Sequence, residues 1–199
     1  HHVAHAASST FASGWDPCSV LVLDGRGERA SHLAARFAGG ALHPLAAQQL
    51  PHSLGLLYEE LTAHLGFRRS SDEYKVMAMA SYGKPRFVGE LSELVRATGD
   101  GGFVTERIDW SEFAPRLGKG DDWTEAHADL AASVQQRLEE VLVDLARWVH
   151  EQTGEKALTM AGGTALNCVA NTRILAETPF EDVWVQPAAG DAGTALGAA

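Results

Sequence analysis

The sequence predicts an α/β fold, and three observations support that prediction. From residue 124 onward the apolar pattern alternates between helix and strand, which is typical of a sheet covered by helices. Two of these strands run into glycine-rich turns that are followed by helices of small residues. At 199 residues and 45 % hydrophobic, the chain is long enough to bury a core as one large domain or two small lobes.

The amino-terminal quarter predicts a helix, a strand and a turn. Residues 1–14 are mostly small and favour a helix that Gly14 ends. Residues 18–23 form an apolar run typical of a β-strand, and residues 24–28 are typical of a hairpin-type turn. Residues 29–50 show poor periodicity, and we expect one or two further strands there.

The middle of the chain predicts two helices and an exposed segment. Residues 51–66 carry one apolar stripe behind the N-cap residue Ser53. Residues 72–83 are apolar enough to be at least half buried, and residues 86–98 predict the second helix. Residues 99–124 are rich in glycine and aspartate, so we expect an exposed insert.

The final third contains the longest helix and the two glycine-rich turns. The helix begins after Thr124 and ends at Gly154, with apolar residues three and four apart. A strand then leads into Gly162-Gly163, and the strand Val183–Gln186 leads into a glycine-flanked acid. Glycines admit a ligand close to the backbone, and helix N-termini favour anions. The two turns therefore predict the sides of one phosphate or nucleotide site, with two ligand-free tight turns as the alternative.

Charge and composition argue against several classes of function. The formal net charge is −10, whereas nucleic-acid binding requires a basic face. Cys18 and Cys168 are far apart with apolar neighbours, so we expect buried free thiols in a reducing compartment. No apolar run reaches membrane-spanning length, and no signal peptide is evident. We therefore expect a cytoplasmic protein with neither a membrane nor a nucleic-acid partner.

Four side chains of the metal-ligand type stand out. His1 and His5 are four residues apart and share one helix face, whereas His2 points about 100° away. Asp24 follows the first strand, and Asp191 lies in the second glycine turn. Two imidazoles and two carboxylates suit divalent Fe, Mn or Zn. Each also has an ordinary explanation, because such histidine pairs are common and the aspartates suit a turn and a helix N-cap.

Lys75 is unusual because it lies within the apolar stretch 72–83. Lysine is rarely buried without a partner, and we expect a catalytic role for it. The structural alternative is a stem packed on apolar surface with a solvated ammonium group.

Six motifs occur along nearly the whole chain: His-His-Val-Ala-His-Ala-Ala-Ser at the start, Leu-Asp-Gly-Arg-Gly-Glu at 23–28, Ser-Leu-Gly-Leu-Leu-Tyr at 53–58, Asp-Glu-Tyr-Lys-Val-Met at 72–77, Ala-Gly-Gly-Thr-Ala-Leu-Asn-Cys-Val-Ala-Asn at 161–171, and Gln-Pro-Ala-Ala-Gly-Asp-Ala-Gly-Thr-Ala-Leu-Gly-Ala-Ala at 186–199. In this order they resemble the O-carbamoyltransferase family, the nodulation-type and antibiotic-tailoring enzymes. The resemblance implies an incomplete actin/Hsp70/sugar-kinase-like (ASKHA) two-lobed α/β fold with helical insertions.

The resemblance also implies a reaction. A separate C-terminal domain, similar to the threonylcarbamoyl-AMP synthases (YrdC-like), would make carbamoyl-adenylate from carbamoyl phosphate and ATP. The domain at 1–199 would transfer the carbamoyl group to a hydroxyl of a small-molecule or sugar acceptor. The chain begins without methionine and stops inside a helix-forming stretch, so we expect a fragment that lacks the first β-hairpin and the C-terminal domain.

Site residues follow from the resemblance position by position. It implies iron, or another divalent metal, held by His1, His5, Asp24 and Asp191. It further implies a nucleotide site at Gly25, Gly162, Gly163, Asn167 and Gly190.

Four other functions remain open from the sequence. A threonylcarbamoyl transferase acting on tRNA shares the H-x-x-x-H pattern, although the acidic balance disfavours it. A non-haem iron oxygenase uses two histidines and a carboxylate, but commonly on a β-sandwich. A metalloprotease would need a glutamate between the histidines. A non-catalytic nucleotide-binding scaffold fits the glycine turns equally well.

Overall fold

The computed structural model describes residues 1–199 and is built on a mixed five-stranded sheet of order β3-β2-β1-β6-β7. β1 pairs antiparallel with β2, and β2 with β3, whereas β1, β6 and β7 run parallel. β4 and β5 form a separate antiparallel ribbon. The strands are β1 (Cys18–Leu23), β2 (Ala30–Ala38), β3 (Ala41–Gln49), β4 (Val95–Ala97), β5 (Phe103–Thr105), β6 (Ala157–Ala161) and β7 (Asp182–Val185).

Helices cover both faces of the sheet. α1 lies against β1 and β6 and is flanked by α7, while α5 lies against β1 and β2 and carries α3, α4 and α6. No helix combines the length and the apolarity needed to cross a bilayer. The helices are α1 (His2–Ser13), α2 (Leu54–His64), α3 (Glu73–Ala80), α4 (Val88–Leu94), α5 (Glu125–Thr153), α6 (Cys168–Glu177) and α7 (Thr194–Ala198).

β1 is the centre of the sheet, and all six of its residues are buried. Its side chains alternate between two cores, as the period of a strand requires. Val20 and Val22 pack in the core that includes Ala6 of α1, whereas Leu21 and Leu23 pack in the larger core built around α5. Burial on both faces explains why the strand is a continuous apolar run.

The α/β alternation and several helix ends predicted from the sequence are confirmed. Ser53 caps α2 by accepting a hydrogen bond from the Leu56 amide. Thr124 caps α5 in a reciprocal capping box with His127, and Gly154 ends that helix in the left-handed conformation (φ 67°). These capping residues act within one turn of the helix end, so they were predictable from the sequence alone.

Two predictions for the middle of the chain are wrong. The helix expected over 86–98 ends at Leu94, and the next three residues form β4 because they pair with β5. The segment 99–124 is not an exposed insert, since Phe103 and Trp110 are buried in the main core. Its glycines and aspartates form the turns between these anchors.

The cysteine prediction is half right. Cys18 is buried and Cys168 is exposed, and both are free thiols. Burial raises the pKa of the Cys18 thiol to about 11, so this thiol stays protonated at neutral pH. Cys168 begins α6, where its side chain lies outside the core despite its apolar neighbours.

His32 on β2 is fully buried and links the sheet to the turn after β4. Its Nδ1 and Nε2 lie 3.1 Å from the Val22 carbonyl oxygen and 3.0 Å from that of Gly101. Burial lowers the pKa of His32 to about 4, against the two carbonyls that favour a protonated ring. The neutral ring donates to only one carbonyl at a time.

We expect His32 to make the fold acid-sensitive. Its pKa in the unfolded chain is about 6.5, above the folded value of about 4. The stability it supports is therefore complete above about pH 6.5 and is lost as the pH falls toward 4. At pH 5 the loss is about 2 kcal/mol. Urea unfolding at pH 7.5 and pH 5 should show this extra loss in the wild type and not in His32→Gln; equal losses in both would contradict a neutral ring.

Candidate metal centre and adjoining cleft

The parallel strands bring three polar turns to one edge of the sheet. β1, β6 and β7 are neighbours, and their carboxyl ends lie at the same edge, where α/β folds commonly bind ligands. Asp24 follows β1, Gly162-Gly163 follows β6, and Asp191 lies in the turn beyond β7. The amino-terminal end of α1 reaches the same edge.

His1, His5, Asp24 and Asp191 meet there, with one ligand-type atom from each lying within 4.8 Å of all the others. His1 Nε2 lies 2.7 Å from Asp24 Oδ2 and 3.5 Å from Asp191 Oδ1. His5 Nε2 lies 3.9 and 3.6 Å from the same two oxygens. Residues from both ends of the chain thus converge on one point.

His5 is the buried member of this cluster. Its side chain has no solvent exposure, and neither ring nitrogen has a hydrogen-bond partner. Burial lowers the pKa of His5, although the carboxylates of Asp24 and Asp191 oppose that effect. An unpartnered, buried imidazole beside two carboxylates costs free energy unless something else binds it.

The donor set fits a divalent cation. Neutral imidazole nitrogens and ionised carboxylates are the forms that bind Fe, Mn or Zn. A backbone hydrogen bond also fixes Asp24, because its Oδ1 accepts from the Gly163 amide at 3.2 Å. Such outer contacts orient a ligand side chain. His2 is buried close by, but it is not one of the four converging residues.

A cleft of about 490 Å³ opens beside the cluster. Asp24 and Asp191 belong to the cluster and also line the cleft. That volume lies in the range of small-molecule sites. Arg26 is the only cationic residue in the lining. The walls come from the turn after β1, from α2, from the loop before α3, from α3, from Leu138 of α5 and from the two glycine turns.

Four of the five residues predicted to bind nucleotide line the cleft, and the fifth does not. Gly25, Gly163 and Gly190 line the cleft, and so does Asn167. Gly162 does not; it has φ +95°, and a Cβ there would lie 2.2 Å from the Leu23 carbonyl oxygen. The structure therefore gives Gly162 a packing role between β6 and β1.

Asn167 belongs to a hydrogen-bonded network on the cleft floor. Its Nδ2 donates to Gln135 Oε1 at 2.9 Å, and its Oδ1 accepts from the amide of Ala170 as the cap of α6. The Tyr58 hydroxyl donates to the same Gln135 oxygen at 2.8 Å. The network fixes the two cleft-lining side chains, Tyr58 and Asn167, against α5.

Lys75 is not buried and does not line the cleft. Its ammonium group lies 3.0 Å from Asp72 and above the rings of Phe67 and Tyr74, with the side chain 41 % exposed. This is the solvated arrangement offered above as the structural alternative. The catalytic role stays a prediction, and the geometry gives it no support.

Sequence reasoning missed much of the cleft wall. Most of these positions come from α2, α3 and the loop before α3, with Arg26 in the turn after β1 and Thr164 in the turn after β6. The residues with functional side chains are Arg26, Tyr58, Glu59, Ser70, Ser71, Glu73, Tyr74 and Thr164. Tyr58, Glu73 and Tyr74 lie inside the motifs at 53–58 and 72–77, so those motifs carried the signal.

The fold and the site define a class of protein: an α/β domain whose sheet edge carries a two-histidine, two-aspartate cluster beside a ligand-sized cleft. Residues 1–199 match the family described as carbamoyltransferase N-terminus. The chain belongs to that family.

Several relatives match the whole chain. It is 41 % identical to protein sll1178 of Synechocystis, 42 % to nodulation protein NolNO of Sinorhizobium fredii and 38 % to nodulation protein NolO of Bradyrhizobium diazoefficiens. The matches cover 35, 30 and 37 % of these proteins, so the chain spans about a third of their length.

A solved structure shares the fold. Full-length HypF in its phosphate- and nucleotide-bound form superposes with a TM-score of 0.54 at 14 % identity. The match covers 99 % of this chain and 41 % of HypF. At this identity the likeness concerns the α/β fold alone.

Proposed function

We propose that this domain transfers a carbamoyl group from carbamoyl-adenylate to a hydroxyl of a small-molecule or sugar acceptor. The observation that carries the proposal is the convergence of His1, His5, Asp24 and Asp191 beside a cleft of about 490 Å³. Membership of the carbamoyltransferase family supports the class of reaction. We further propose an actin-like two-lobed fold for the complete domain.

The four converging residues would hold a divalent ion, for which we propose Fe²⁺. An ion bound there would act as a Lewis acid toward charge that develops on the leaving phosphate or the carbamoyl oxygen. The protein itself orients the side chains around the ion and the cleft. The Gly163 amide fixes Asp24, and the network of Gln135 fixes Asn167 and Tyr58.

The transfer itself forms one bond and breaks one. The acceptor oxygen bonds to the carbamoyl carbon, the bond from that carbon to the phosphate oxygen breaks, and AMP leaves. The hydroxyl proton passes to a base, and Glu59 and Glu73 are carboxylates on the cleft wall within the same site. Arg26 supplies positive charge beside the leaving phosphate.

The activated donor would come from another part of the protein. Relatives are about three times as long as this chain, which leaves room for a C-terminal domain that makes carbamoyl-adenylate from carbamoyl phosphate and ATP. The transfer assay should therefore use the whole protein. It should release AMP and carbamoylate at least one member of a panel of sugars and other hydroxylated acceptors when iron is present.

Two outcomes would contradict the proposal. Transfer to tRNA but to no small acceptor would favour a tRNA-modifying relative. Nucleotide binding without transfer to any acceptor, with iron bound, would favour a non-catalytic scaffold. Asp191→Asn serves as the control for the metal centre in each assay.

We expect Gly190→Ala to weaken AMP binding without destabilising the fold. Gly190 has φ −70°, which alanine adopts freely, and an added Cβ would approach no atom closer than Leu166 Cδ1 at 3.9 Å. Because Gly190 lines the cleft, the methyl group would compete with the ligand, at about tenfold to a hundredfold in affinity. Calorimetry with AMP measures the change; unchanged affinity would place the nucleotide elsewhere.

A further inference from the structure

A second cleft, of about 330 Å³, lies along the carboxyl-terminal half of α2. The main cleft uses the opposite half of that helix, through Gly55, Tyr58 and Glu59. The lining of this second cleft, the arginine cleft, includes three arginines, Arg69, Arg107 and Arg116. Arg69 comes from the loop before α3, and Arg107 and Arg116 come from the segment between β5 and α5.

None of the three arginines of the arginine cleft forms an ion pair, although the carboxylate of Asp109 lies near Arg107. The arginines that form ion pairs are others, namely Arg36, Arg86, Arg137, Arg147 and Arg173. Glu60 is the one carboxylate in the lining, and it too forms no ion pair. In a chain of net charge −10, three unpaired guanidinium groups around one cavity create a local positive potential.

An apolar wall completes the arginine cleft. Ile108 and Trp110 line it, and both are largely buried. These two side chains therefore offer an apolar surface beside the guanidinium groups.

We infer that the arginine cleft binds a phosphate-bearing small molecule. The guanidinium group is planar and matches phosphate oxygens with two parallel hydrogen bonds, which a lysine cannot do. Arg69, Arg107 and Arg116 would hold the phosphate group, and Ile108 and Trp110 would contact the organic part. The site is separate from the metal centre and does not depend on the function proposed for it.

Calorimetry on the full-length protein at low salt tests this inference, with inorganic phosphate and phenyl phosphate as probes. The double variant Arg107→Gln/Arg116→Gln should weaken binding of both probes at least about tenfold. Arg96→Gln removes the same charge from an exposed arginine on β4 and should leave binding unchanged. Tighter binding of phenyl phosphate than of phosphate would indicate an organic ligand, and equal binding would indicate phosphate itself.

Glu60→Gln gives a test in the opposite direction. It removes the one carboxylate of the arginine cleft, so phosphate should bind a few fold more tightly. A structural role of Glu60 alone would not produce a gain. The inference fails if the wild type binds neither probe at millimolar concentration, or if the double arginine variant binds them as the wild type does.

Discussion

Replacing His5 with alanine is expected to abolish stoichiometric metal binding. His5 is the fully buried member of the cluster, and its ring nitrogens have no other partner in the protein. Changing contacts one layer outside a metal site already costs 10- to 100-fold in affinity, so loss of a ligand should cost more than about 100-fold. Metal content measured by mass spectrometry after reconstitution with Fe²⁺ would fall from about one ion per chain to near zero.

Two further variants separate metal loss from misfolding. Asp191→Asn removes a ligand that is 79 % exposed, so it should lose the ion while keeping the thermal midpoint of the ion-free protein. His43→Ala removes an exposed histidine on β3 and should keep full metal content. If His5→Ala and Asp191→Asn both retain one ion per chain, the four-residue assignment is wrong.

Gly162→Ala is expected to be the most destabilising single methyl addition at the site. The backbone at φ 95° and ψ 159° lies in a region that only glycine adopts readily, and it costs about 1–3 kcal/mol for a residue with a Cβ. The new methyl would also lie 2.2 Å from the Leu23 carbonyl oxygen, so β6 and β1 must separate. The free energy of unfolding should fall by more than about 3 kcal/mol in urea titration.

Gly39→Ala is the matched control for backbone strain. Gly39 also has a positive φ (61°), but a Cβ there would meet no atom within 4 Å. Its cost should stay near the strain of the left-handed backbone alone, about 1–2 kcal/mol. Equal costs for the two substitutions would show that β6 can shift away from Leu23 freely.

Elements with local signals were predictable from the sequence. The first strand is a continuous apolar run, the first helix ends at Gly14, and α5 carries one apolar stripe between Thr124 and Gly154. β4 and β5 were not predictable, because each has three residues and exists only through pairing with the other. The burial of Phe103 and Trp110 was equally hidden, since their spacing follows no helix or strand period.

The candidate site also contains residues that the sequence predicts and residues that it does not. The spacing of His1 and His5 places both on one helix face, and the motifs supplied Asp24 and Asp191. The motifs at 53–58 and 72–77 contain cleft residues of α2 and α3, but they do not show that the two helices line one cleft, because both helices reach it through their packing on α5. Lys75 illustrates the limit, since an apolar neighbourhood in sequence became an exposed ion pair in space.

The four residues of the metal cluster span positions 1 to 191, so their convergence constrains the order of events during synthesis. During synthesis, His1, His5 and Asp24 are made long before Asp191, which lies beyond the end of β7. The four residues could therefore hold an ion together only after translation of almost the entire segment, and metal binding would then link α1 to the turn beyond β7.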